Sequence, residues 1–77
     1  DNTIMEVLTN RMKIIEEIGT YKKQNNITIL QPDRWEKILT RVLEEARKNN
    51  LSEELVERVF KAIHQASIDR QTDIMNE

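Results

Sequence analysis

The chain has no cysteine, one histidine, one glycine and one proline among 77 residues. Without cysteine there is no disulfide framework and no thiolate metal site. A lone histidine, His64, argues against a histidine-based zinc site, so no metal is expected. Twelve basic and fourteen acidic residues are interspersed, for a net charge of -2. That leaves no basic patch of the kind that drives nucleic-acid binding. No run approaches transmembrane length, and the opening DNTIMEVLTN lacks secretory-signal character. A cytoplasmic protein with no membrane contact is the expectation. Scarce glycine and proline point to long uninterrupted helices. Charged residues make up 34% of the chain, yet apolar ones recur regularly, which argues against disorder. The length fits one domain with a thin core, and such domains often need a partner subunit.

The first periodic segment runs from Asp1 to about Asn26. Its period is already running at Ile4 with no N-cap signal, so the helix is expected to begin upstream. Ile4, Leu8, Ile15 and Ile18 form one apolar stripe, and Val7, Ile14 and Tyr21 form a second line beside it. Gly19 lies in the interior, where it costs about 1 kcal/mol relative to alanine. The usual return is close approach by another backbone or a ligand. Ile27 to Leu30 is β-branched but has no second strand to pair with, and reads as an extended connection that plugs the helix ends.

Pro32 at a first helical position and Asp33 beside it open the second helix. Trp35, Ile38, Leu39, Val42, Leu43 and Ala46 keep its i, i+3, i+4 pattern, and Lys48-Asn49-Asn50 closes it. Ser52 is the expected N-cap of a third helix running to about Met75, with Leu55, Val59, Phe60, Ile63 and Ile74 as its core face. Glu44/Lys48, Glu54/Arg58 and Glu57/Lys61 mark solvated faces. The expected fold is all-α: three helices, long, short and long. Three broad apolar faces on so short a chain point to self-association into a helical bundle.

Arg11 and Lys22 fall on the first helix's apolar stripe. They are eleven residues apart, close to three turns and roughly 16 Å along the axis. Cations on an apolar face either snorkel to solvent or meet an anion. Ser67 and Gln71 sit one turn apart on the third helix's core arc, where polar groups need partners. No glycine-rich phosphate loop, Ser-His-Asp set or ligand cluster is present. Arg11, Lys22, Arg34, Ser67 and Gln71 are donors without an evident base or nucleophile. Such a set suits anion binding, or a reaction whose transition state gains negative charge without proton transfer.

Arg11, then EEIGTYK (Glu16 to Lys22), QPDR (Gln31 to Arg34) and VFKAIHQASIDRQ (Val59 to Gln71) together resemble the all-helical, AroQ-type chorismate mutases. The match covers essentially the whole chain. The LQPDRWEKIL stretch (Leu30 to Leu39) most resembles mutase domains fused to 3-deoxy-arabino-heptulosonate-7-phosphate (DAHP) synthase. The resemblance implies one mutase-like domain over residues 1–77, lacking the start of its first helix. It implies an intertwined homodimer with two shared sites, and an isomerase of aromatic amino-acid biosynthesis (the shikimate pathway) that converts chorismate to prephenate without a cofactor. A fused or associated DAHP synthase is a further implied partner.

By position, the resemblance gives Arg11 a substrate carboxylate, and Lys22 the ether oxygen and enolpyruvyl carboxylate. Ser67 would hydrogen-bond a carboxylate, and Gln71 would donate to the ether oxygen. Arg34 would support the site from the start of helix two. Three positions depart from the family pattern. Gln31 stands where many members are acidic. Trp35 stands where many have a glutamate that binds the substrate hydroxyl, and Glu36 points about 100° away. The arginine that members take from the partner's first helix falls upstream of Asp1. Two other readings share the same residues: an isochorismate pyruvate lyase, and a non-catalytic dimerisation or regulatory module that binds chorismate or prephenate.

Overall fold

A computed structural model describes residues 2–77. Asp1, where the first segment was expected to start, lies outside the described residues. Three α-helices follow one another: α1 (Asn2–Asn25), α2 (Pro32–Lys48) and α3 (Glu53–Met75). They hold 24, 17 and 23 residues, the expected long, short, long order. No strand occurs among the described residues, so Ile27 to Leu30 is a connection as read from the sequence. Only Ile27 and Ile29 are half-buried, however, and Leu30, expected to plug a helix end, is exposed. None of these helices is long and apolar enough to cross a membrane.

The chain divides into two compact units. One comprises the chain as far as Ile29 together with Ala66–Glu77, and the other is Leu30–Gln65. Helix α3 therefore contributes its last turns to the first unit and its opening turns to the second.

In the first unit, α1 ends on Asn26, whose φ of 54° is left-handed. Asparagine tolerates that region better than most residues. The reversal brings the Ile27 N–H to the Lys22 carbonyl at 2.9 Å, which satisfies one of the helix's orphan acceptors. The inward face of α1 is made of Met12, Ile15, Glu16, Gly19 and Lys22. This differs from the expected stripe. Ile15 and Lys22 do turn inward, but Ile4, Leu8 and Ile18 are exposed, as are Val7, Ile14 and Tyr21 of the second line. The reason is length. Residues 66 to 75 of α3 rise about 15 Å, against about 36 Å for α1, so they cover less than half of it. Every residue from 2 to 10 is exposed.

The second unit follows the sequence pattern more closely. Trp35, Ile38, Leu39, Val42 and Leu43 are all half-buried, and Ala46 is 2% exposed. Helix α2 closes with Asn50 at φ 56°. The Leu51 N–H reaches the Ala46 carbonyl at 2.9 Å, and the Asn50 N–H reaches the Arg47 carbonyl at 3.3 Å. This paired arrangement is a Schellman motif. Ser52 is the N-cap of α3, as expected: its Oγ accepts from the Leu55 N–H at 3.2 Å. Arg47 braces the same corner with an ion pair to Glu53 at 3.1 Å. On α3, Phe60 and Ile63 are half-buried, but Leu55 and Val59, expected in the core, are exposed. The only neighbour for these turns within the unit is α2, and a single neighbour covers only part of a broad apolar arc. The Glu54/Arg58 and Glu57/Lys61 pairs form; Lys48 lies 3.9 Å from Glu45 rather than pairing with the expected Glu44.

Candidate functional site

The first unit holds a polar group in its interior. Gln71 is 4% exposed, and the residues buried with it are Gly19 and Ile74. Its amide Nε2 donates to Ser67 Oγ at 2.9 Å, one turn back along α3. Its Oε1 is buried and accepts no hydrogen bond. Leaving such an acceptor unsatisfied costs about 1–3 kcal/mol. A buried group of this kind in a folded protein calls for an explanation.

Gly19 faces this amide. A Cβ placed on it would lie 3.4 Å from Gln71 Cγ, 3.5 Å from Gln71 Cα and 2.9 Å from Ile74 Cδ1. Lys22 follows three residues later on the same inward face of α1 and is half-buried. Its Nζ lies 3.4 Å from the Ile29 carbonyl, a long bond that holds the ammonium near the end of α1. Lys22, Ser67 and Gln71, all singled out from the sequence, thus belong to one unit. Arg11 belongs to it too, on an exposed part of α1 about three turns before Lys22.

Gln31, Arg34 and Trp35 lie in the second unit, in the first turns of α2. Gln31 is the residue before α2, and its carbonyl accepts from the Trp35 N–H at 3.1 Å; its side chain makes no capping bond. Arg34 is exposed. Trp35 stacks on His64, with ring centroids 4.1 Å apart and planes 7° from parallel. His64 was given no function from the sequence, and here it is a packed histidine.

Sequence reasoning missed the cation Arg70. Its guanidinium meets the Glu16 carboxylate through Nε at 2.9 Å and Nη2 at 2.9 Å, and lies 3.7 Å from Glu77. The Glu16 hydrogen bond holds its pKa above the ordinary arginine value, against the opposing effect of burial. Arg70 is therefore committed to a carboxylate. The signal lay in EEIGTYK, whose Glu16 belongs to the inward face, but helical period does not reveal partners 54 residues away. An open depression on α1 is lined by Lys13, Glu16, Glu17, Thr20, Tyr21 and Gln24. Its two carboxylates make it a poor receptor for an anion.

The described residues are all-helical apart from the connections, and one unit holds Lys22, Ser67 and the buried Gln71 amide. The sequence profile of the family described as chorismate mutase type II matches residues 1–72, and the chain belongs to that family. It is 29% identical over 76 residues to a bifunctional chorismate mutase/prephenate dehydratase of Buchnera aphidicola subsp. Schizaphis graminum (strain Sg). That match covers 99% of this chain and 20% of the relative, so the chain spans about a fifth of the relative's length. The relative thus joins its mutase to a dehydratase rather than to a DAHP synthase. No solved structure matches the chain.

Proposed function

We propose that the chain rearranges chorismate to prephenate, the pericyclic step of aromatic amino-acid biosynthesis. The observation that carries this reading is the buried Gln71 amide, a donor through Nε2, in one unit with Lys22 and Ser67. Breaking the ether bond ahead of carbon–carbon bond formation puts negative charge on the ether oxygen. Lys22 and the N–H of Gln71 not engaged with Ser67 stabilise that charge, and fixed donors in a water-poor site do so without reorganising. Arg11 and Ser67 take the carboxylates and hold the compact reactive conformer. The family resemblance alone gives Arg34 a supporting role, and Gln31 and Trp35 stand where an acidic hydroxyl ligand is usual. The site residues need no proton transfer and no cofactor.

The working species is a homodimer with shared sites. Ile4, Met5, Val7, Ile14 and Tyr21 along α1 and Leu55 and Val59 on α3 are all exposed in the single chain, apolar surface that a second copy would cover. Sedimentation at micromolar concentration should give a dimer; a stable helical monomer would remove the shared-site part of the reading. A DAHP synthase as fused or associated partner rests on the LQPDRWEKIL resemblance alone, and the mass and sequence of the natural polypeptide decide it.

The deciding experiment compares turnover of chorismate and isochorismate. Prephenate formed from chorismate is the expected result. Pyruvate released from isochorismate, with chorismate untouched, would make the chain a lyase. Binding of either compound without turnover would make it a regulatory module.

A further inference from the structure

Gly19 is the only buried residue of α1, and it sits in the middle of that helix. Glycine there weakens a helix, and alanine would strengthen it. No turn or positive φ asks for glycine at this position, because no glycine here has a positive φ. What the missing Cβ does is let α3 lie close against α1. Gln71 brings both its Cα and its Cγ to within 3.5 Å of the place a Cβ would take. The far methyl of Ile74 already occupies part of that place, at 2.9 Å. The Gln71 side chain is thereby held at both ends: its stem rests on Gly19 and its amide is tied to Ser67.

We infer that Gly19 is a positioning residue, one whose bare backbone sets where the Gln71 amide stands for the reaction. The inference rests on the chorismate mutase reading for the role of Gln71, and on the geometry around Gly19 for everything else. A side chain at position 19 presses first on Ile74 Cδ1, the movable end of a flexible side chain. Alanine is therefore accommodated by turning that methyl aside, and its Cβ then rests on Gln71 Cγ. The branched side chain of valine adds two carbons to the same contact and displaces the Gln71 stem. A displaced amide stabilises the developing charge less well, while the carboxylate contacts of the ground state remain. The loss falls on kcat and leaves KM nearly alone.

The test is a double-mutant cycle on the dimeric protein. Gly19→Ala, Gly19→Val, Gln71→Ala and the combined variants are assayed for kcat and KM with chorismate, with thermal melts alongside. Gly19→Val should lower kcat on the order of 10-fold or more, the scale expected when a catalytic group is misplaced by a fraction of an ångström. Gly19→Ala should fall in the same direction by less, and should melt no lower than the parent. With Gln71→Ala already present, which removes the Cγ that the new side chain meets, Gly19→Val should change kcat less than about twofold. Equal losses from Gly19→Val in both backgrounds would overturn the inference, because Gly19 would then act on general packing. If Gly19→Val does not fold, Gly19→Ala carries the same comparison. A parent protein that leaves chorismate unchanged overturns the functional reading alone. The positioning claim is then decided by the Gln71 side-chain amide signals in a nitrogen-15 spectrum. Gly19→Ala should shift them and the exposed Thr20→Ala should not; equal shifts, or none, would overturn it.

Discussion

The two units of the chain bury different things. The unit built on α2 buries Ala46, closes its helix with a Schellman motif and caps the next with Ser52. Each of these features is local, apolar or fully hydrogen-bonded. The unit built on α1 and the end of α3 buries Ile74 together with a glycine and a glutamine amide with an acceptor left over, and keeps a half-buried lysine on the same inward helix face. Measured by stability alone, the second arrangement is the worse one. Glycine weakens the helix and the orphan acceptor keeps its desolvation penalty. Local rules are broken around the proposed Lys22, Ser67 and Gln71 set, and kept at the corner between α2 and α3.

Substitutions in the two units should therefore separate activity from stability. The largest effect is expected at Lys22. Loss of a donor aimed at developing charge typically lowers the rate on the order of 100- to 1000-fold, so Lys22→Ala should abolish most prephenate formation while the far-ultraviolet spectrum is unchanged. Gln71→Ala should follow with a smaller loss, because a neutral donor is weaker than a charged one. Removing its buried orphan acceptor should also leave stability nearly intact; a steep drop in melting temperature with full activity would reverse the roles given to the two units. Ser52→Ala should do the opposite. It removes the N-cap of α3 and should destabilise by about 1 kcal/mol, read by urea denaturation, with kcat/KM for chorismate in the folded protein unchanged. The smallest effect is expected for Arg70→Gln. Its ion pair with Glu16 is open to solvent screening, so the stability change should be below that of Ser52→Ala and should fade in high salt.

The second unit was also the more legible from sequence. Pro32 and Lys48 were read as the ends of α2 because proline at a first turn and asparagines after the last are local signals, and the helix has those ends. The α2 stripe from Trp35 to Ala46 matches the fold, since each of its residues is buried or half-buried. The α1 stripe was read less well. Its apolar residues cover more than one side, and period alone does not say which side the same chain fills. Ile15 went inward, while Ile14 and Ile18 stayed out. Leu55 and Val59 were misplaced for the same reason. Among the site residues, the Ser67–Gln71 pairing was visible as a one-turn spacing. The Gly19 contact was only half visible: the sequence marks a glycine in a helix, and the fold supplies what approaches it. Arg70 with Glu16, and Trp35 with His64, depend on which helices meet and left no periodic trace.

The central claim is that the buried amide of Gln71 is kept for an anionic ligand. The most direct measurement follows side-chain amide signals in a nitrogen-15 spectrum while prephenate is added. The Gln71 signals should move in step with binding, and those of Asn25 and Asn49, which donate to carbonyls at the ends of α1 and α2, should stay in place. Prephenate that binds while the Gln71 signals remain fixed would contradict the account.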